Sequence, residues 1–182
     1  MKKLETERLI LREWRKSDSK DLFEYAISDL VGPNAGWKPH KSESESKEII
    51  NMFIESKEVY ALELKSEKKV IGSIGLHEGC PDSELNELKQ KKIGFVLNPE
   101  YWGNGYIPEA TKRVIKYGFE DLGLDLIWCG HYDFNERSKR VIDKCGFIYK
   151  FNVNEKVKLL DDKEFNIVYY KLSRTDYEES KK

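Results

Sequence analysis

The chain has 182 residues, with 32 Lys and Arg against 33 Asp and Glu, a net charge of −1, and a hydrophobic share of 39%. That length fits one domain able to bury its own core, and the apolar share with balanced charge excludes a disordered chain. Near-neutrality argues against a phosphate-backbone binder, and no apolar run approaches the roughly 18 residues of a span, so neither a nucleic-acid nor a membrane partner is expected.

In chain order, the start carries two lysines and then charges inside its apolar stretch, which does not read as a signal peptide. Residues 8–12 (RLILR) predict a strand, and 18–28 a helix with Leu22, Tyr25 and Ala26 inward. Residues 29–41 hold Gly32, Pro33, Gly36 and Pro39 and read as a loop or broken helix. A Ser/Glu run at 42–46 enters a helix over 44–55. Strands 58–64 and 70–77 form a hairpin around the polar turn 65–69. Residues 80–90 are loop-like, 92–97 a strand, 107–122 a helix, 126–131 a strand and 135–145 a helix. Strands 147–153 and 165–172 close the chain as a second hairpin. Residues 175–182 are polar and expected to fray as a tail, leaving 1–174 as a single domain. Cys80, Cys129 and Cys145 include no CxxC pair. No metal site or disulfide framework is suggested, and a cytoplasmic protein with reduced thiols is the simplest reading.

The order β-α-α-β-β-β-α-β-α-β-β makes this an α/β chain. It predicts a mixed sheet of about seven strands, mostly antiparallel, with helices on both faces. Residues 92–131 form a right-handed βαβ crossover that supplies a central parallel pair.

The most informative segment runs from Leu97 to Ala110, LNPEYWGNGYIPEA. Asn98-Pro99 breaks the strand, and Gly103-Asn104-Gly105 allows positive φ just before a helix with Pro108 in its first turn. Such a turn aims several backbone N–H groups into one concavity at the positive end of a helix, a site suited to a phosphate or pyrophosphate. The letters fit neither a Walker loop, which needs Lys-Ser or Lys-Thr after the second glycine, nor GxGxxG, since position 108 is Pro. A glycine turn with no ligand is the plainer alternative. The second informative segment is NERSKRVIDKCGF, residues 135–147. Asn135 is a good N-cap, Val141, Ile142 and Cys145 make a buried stripe, and Gly146 suits the C-terminus. That account leaves Ser138 unexplained.

Together these segments resemble the GNAT superfamily of N-acetyltransferases. Within it the chain looks like the RimJ/RimL-type branch, whose members include ribosomal-protein N-terminal acetyltransferases. LETERLILREWRKSD at the start, VIGSIGL (70–76), IGFVLNPEYWGNGYIPEA (93–110) and NERSKRVIDKCGF (135–147) follow in the expected order, so the resemblance spans residues 4–172. It implies a GNAT-like fold and transfer of an acetyl group from acetyl-CoA directly to a primary amine, on a protein N-terminus or a small molecule. It implies that the backbone of Trp102, Gly103, Asn104, Gly105, Tyr106 and Ile107 holds the pyrophosphate. Trp102 stands where many members have Arg or Gln, and Ile107 where a small residue is usual. Phe95, Val96 and Leu97 would run along the pantetheine arm, and Asn135 would hydrogen-bond it. A homodimer is compatible with the resemblance.

The transfer needs a base for the amine and an acid for the departing thiolate. Many members use a Tyr for the thiolate, but that position is Ile142 here; members resembling this branch use a Ser three residues after the Asn, which is Ser138. The branch often carries a Glu where this chain has Lys92, so the base must lie elsewhere. Histidine ordinarily titrates nearest neutral pH, which makes His77 the candidate; Glu78, Glu87, Asp133 or a water chain are alternatives. A first-turn serine and a surface histidine without catalytic roles are the plainer readings of Ser138 and His77. Because the strand-entry Glu and the Tyr are both absent, a non-catalytic acyl-CoA-binding module or regulator on the same fold is the alternative function. An acceptor would enter between residues 29–41 and the 154–164 hairpin, past Trp37, Pro39 and His40.

Overall fold

The computed structural model describes residues 1–181. Its strands are β1 (Leu4–Glu5), β2 (Leu9–Arg12), β3 (Val59–Leu64), β4 (Lys69–His77), β5 (Gln90–Leu97), β6 (Leu126–Tyr132), β7 (Ile148–Val157) and β8 (Lys163–Ser173). They form one sheet in the order β1-β2-β3-β4-β5-β6-β8-β7. Only the β5/β6 pair is parallel. The helices are α1 (Ser19–Ala26), α2 (Gly32–Ala35), α3 (Glu43–Ser56), α4 (Tyr106–Lys116), α5 (Glu136–Lys144) and α6 (Arg174–Glu179).

The period of two along each strand divides the core between two faces. Tyr60, Leu62 and Leu64 of β3 pack with Ile71, Ile93 and the α4 stripe Ile107, Ala110 and Val114. Ala61, between them, points the other way and packs with Leu22 and Tyr25 of α1 and Ile50 of α3. The helices start where side chains satisfy free N–H groups: Ser42 accepts from Glu45 N at 3.2 Å before α3, and Asn135 accepts from Ser138 N at 3.1 Å before α5.

Three expectations change. The sheet has eight strands rather than about seven, because β1 is two residues long, too short for a periodicity to show. The segment 29–41, read as a loop or broken helix, is one: it contains only the single turn α2, with Pro33 in its first turn. The helix expected over 107–122 is α4 followed by a wider turn, in which Leu122 N–H reaches Tyr117 O at 3.1 Å. There Gly118 lies so close to β6 that a Cβ would sit 2.9 Å from Ile127 Cδ1. The polar segment 175–182, expected to fray, instead contributes to α6. Ser173 and Asp176 cap it reciprocally, and Tyr177 stacks on Phe119 with ring centroids 4.9 Å apart. Lys182, the end of that segment, lies outside the described residues.

Candidate active site

Strand β5 pairs with β4 from Lys92 to Leu97, but with β6 only from Gln90 to Ile93. Beyond Ile93 and Cys129 the two parallel strands part. Gly94 and Gly130 stand at the vertex, and downstream the β5 backbone groups on that side have no ladder partner in β6. Phe95 and Val96, half-buried, line the opening.

The opening leads to the loop after β5. The Leu97 carbonyl accepts from Trp102 Nε1 at 3.0 Å, which folds the chain back toward α4. Gly103 and Gly105 take φ of +83° and +78°, values that favour glycine. The consecutive N–H groups of Gly103, Asn104, Gly105, Tyr106 and Ile107 have no hydrogen-bond partner among the described residues. Asn104 turns its side chain away, donating to the carbonyls of Tyr101 and Trp102 at 3.1 and 3.3 Å. From outside, Arg8 donates to Asn104 O at 2.9 Å and to Glu109 Oε2 at 2.7 Å. Burial opposes ionisation of Glu109, but hydrogen bonds from Thr6 and Arg8 outweigh it and hold its pKa below the ordinary carboxylate value.

The loop forms one end of a cleft of about 430 Å³. Its far wall is α5, which presents Arg137, Arg140 and Lys144, exposed and without ion-pair partners among the described residues. The Arg137 guanidinium lies 4.2 Å from the Trp102 ring centroid. On the other sheet face is a groove of about 490 Å³, bounded by Trp37 and His40 on one side and Leu159 of the second hairpin on the other. Cleft and groove share Asn34, Ala35, Phe95, Val96 and Ser138, so they meet where β5 and β6 part. Lys38 and Asp161 form an ion pair between the groove's two rims.

Ten of the residues singled out in the sequence line this cleft: Phe95, Val96, Leu97, Trp102, Gly103, Gly105, Tyr106, Ile107, Asn135 and Ser138. Asn104 does not; it braces the loop. Asn135 serves as the N-cap, with Oδ1 on Ser138 N and Nδ2 donating to Asn34 O at 3.4 Å. His77 lines the groove rather than the cleft. Its Nδ1 faces Glu58 Oε2 at 3.3 Å, and its ring folds back over β4 so that a Cβ on Gly75 would lie 2.1 Å from Nε2. A Cβ on Gly94, at the vertex, would lie 3.7 Å from the same atom. His40, also on the groove, is held neutral to lower pH than usual by burial, and its Nδ1 contacts Ser46 Oγ at 2.8 Å.

Sequence reasoning missed Arg137, Arg140, Lys144 and Glu58. The spacing of the three cations on one face of α5 was a usable signal. Glu58 was not, since its approach to His77 depends on the β3/β4 register. Among the described residues no cluster of three His, Cys, Asp or Glu side chains is placed to hold a metal ion, and no helix is long and apolar enough to cross a membrane.

A family model described as an acetyltransferase (GNAT) domain matches residues 8–148. The chain is similar to the uncharacterized N-acetyltransferase YoaA of Bacillus subtilis (strain 168), with 32% identity over 149 residues, 79% of this chain and 81% of that protein. The fold matches a crystal structure of an acetyltransferase (GNAT family) from Bacillus anthracis with a TM-score of 0.82, 23% identity, and 94% and 98% of the two chains covered. It also matches the microcin C7 self-immunity acetyltransferase MccE, solved in complex with acetyl-CoA and AMP, with a TM-score of 0.74, 16% identity, and 92% and 93% covered.

Proposed function

Because the chain belongs to the GNAT acetyltransferase family, we propose that it moves the acetyl group of acetyl-CoA directly to a primary amine. The observation that carries this is the run of unpartnered N–H groups from Gly103 to Ile107, in a loop whose Gly103, Gly105, Tyr106 and Ile107 line a cleft that meets a second groove at the β5/β6 vertex. Unpartnered N–H groups at a helix N-terminus suit a pyrophosphate, and the cations Arg137, Arg140 and Lys144 suit a polyanion on the wall of the same cleft. The complex of MccE with acetyl-CoA, on a shared fold, agrees with that occupant.

In this reading the exposed backbone edge at Phe95, Val96 and Leu97 binds the pantetheine arm, with Asn135 Nδ2 as a further donor. Acetyl-CoA supplies the activated acetyl group. His77 Nε2, above Gly94, takes the proton of the attacking amine, and Glu58 holds the ring by Nδ1. Ser138 Oγ, on the wall shared by cleft and groove, gives its proton to the departing thiolate. The backbone near the vertex supplies donors for the carbonyl oxygen. The test is calorimetric titration of the chain with acetyl-CoA: binding at one site is expected, weakened by desulfo or dephospho analogues that keep the arm but lose contacts. Absence of binding would overturn the reading.

A further inference from the structure

On the groove face three glycines stand in adjacent strands. Gly75 and Gly94 are direct partners in the β4/β5 ladder, and Gly130 follows Cys129, the last β6 partner of β5. Rings replace the missing side chains at two of them. The His77 ring occupies the place of a Gly75 Cβ, and the Tyr169 ring lies 3.1 Å from where a Gly130 Cβ would be. Between them the floor over Gly94 is free of any Cβ. The walls around it are aromatic: Tyr25, Trp37, Phe53 and Tyr132.

Charge on this groove is one-sided. No Asp or Glu lines it, and Glu58 reaches it only through His77. Lys92 does line it. It is the cross-strand partner of His77, half-buried, and has no carboxylate within ion-pair distance among the described residues. Its neighbour Lys91 is paired with Glu78. A half-buried lysine in a groove whose lining holds no carboxylate is a ready partner for an anionic group on a bound molecule. The Tyr25 hydroxyl, on a side chain 1% exposed, is sealed beneath the same groove beside Ser73.

We propose that the acceptor is a small amino-acid-like molecule, an amine beside a carboxylate on an apolar or aromatic body, with Lys92 binding the carboxylate. This rests on the acetyl-transfer reading of the same site. The amine lies over Gly94 beside His77 Nε2. Its carboxylate reaches the Lys92 ammonium two positions back on the same face of β5. Its apolar body packs on the aromatic wall. A polyamine or aminoglycoside would find no carboxylate here and would face Lys92. A peptide N-terminus lacks the carboxylate next to its amine.

The test uses the full chain with phenylalanine, leucine and tryptophan, their carboxamides, a short peptide and spermidine. Two quantities are read: kcat/KM with acetyl-CoA, and calorimetric binding of N-acetylphenylalanine against its amide in the presence of CoA. The acids should exceed their amides by about tenfold or more in both, as for a site built around a charged group its rival lacks. Lys92→Met should bring the acid-to-amide ratio near unity, and Lys92→Arg should largely preserve it. Amides, peptide or spermidine matching the acids, or a ratio that survives Lys92→Met, would overturn the proposal. If every amine is acetylated without preference, this inference falls and the transfer reading stands. If the acid binds selectively but no amine is acetylated, the inference about the groove stands and the transfer reading falls.

Discussion

Arg8 and Glu109 join the β1–β2 turn to the first turn of α4: Arg8 Nε donates to Glu109 Oε2 at 2.7 Å, and the Arg8 backbone N–H donates to Oε1 at 3.0 Å. The pair backs the loop whose N–H groups face the cleft. Because these bonds hold the Glu109 pKa below its ordinary value, its contribution to stability is complete above the unfolded carboxylate range and shrinks as pH falls through it. Glu109→Gln should cost about 1–2 kcal/mol at neutral pH. Melting curves of the two proteins should stay apart down to about pH 5 and converge only as pH falls below the ordinary carboxylate value of 4.5 and through the depressed one. A gap that stays constant with pH would assign the loss to packing instead.

Gly105 has φ of +78°, and the nearest protein atom to a Cβ there is Arg8 Nη2 at 3.7 Å. Gly105→Val therefore meets little protein, but it adds about 1–2 kcal/mol of backbone strain and branched bulk beside the loop N–H groups. Acetyl-CoA affinity should fall by about tenfold or more, since the backbone can no longer approach a phosphate closely. Unchanged affinity by calorimetry would remove this loop from the binding site.

The Ser138 backbone N–H, not its hydroxyl, takes part in capping α5. Ser138→Ala should leave the helix and acetyl-CoA affinity nearly intact while kcat falls by about 10²-fold, the effect of losing a positioned acid. A kcat close to wild type, with chemistry rate-limiting, would make Ser138 a wall residue.

Gly75 and His77 form a natural cycle, because only a residue without a Cβ lets the ring fold back to the vertex. Gly75→Ala should displace the imidazole and lower kcat about as much as His77→Gln, by about 10²-fold. The double variant should be no worse than either single one, the signature of residues acting through one group. Additive losses would show that His77 works without Gly75, or that neither reaches the reaction.

Much of this site is local in the sequence. Gly103-Asn104-Gly105 before a helix with an early Pro dictates a turn of free N–H groups, and Asn135 three residues before Ser138 dictates a cap, so both were legible. The groove was less so. His77 was visible as a histidine ending a strand, but its ring position depends on Gly75 two residues earlier on the same face. Its partner Glu58 arrives only through strand pairing. The vertex itself, where β5 stops pairing with β6 after Ile93, coincides with Gly94 and Gly130, but neither strand's letters alone say that these two glycines face each other where the pair parts. The helix α6 escaped because its one substantial apolar contact, Tyr177 on Phe119, is a single ring in a polar stretch.

Acetyl transfer requires that cleft and groove deliver their occupants to one reacting point, where β5 and β6 part. Its most direct test is the release of free CoA thiol from acetyl-CoA on adding amines, with acetylated product counted in parallel. Thiol release should depend on the amine, saturate in both substrates and match product one for one. Acetyl-CoA that binds but yields no thiol above slow hydrolysis with any amine, from amino acids to peptide N-termini, polyamines and aminoglycosides, would contradict it and leave the chain a binding module.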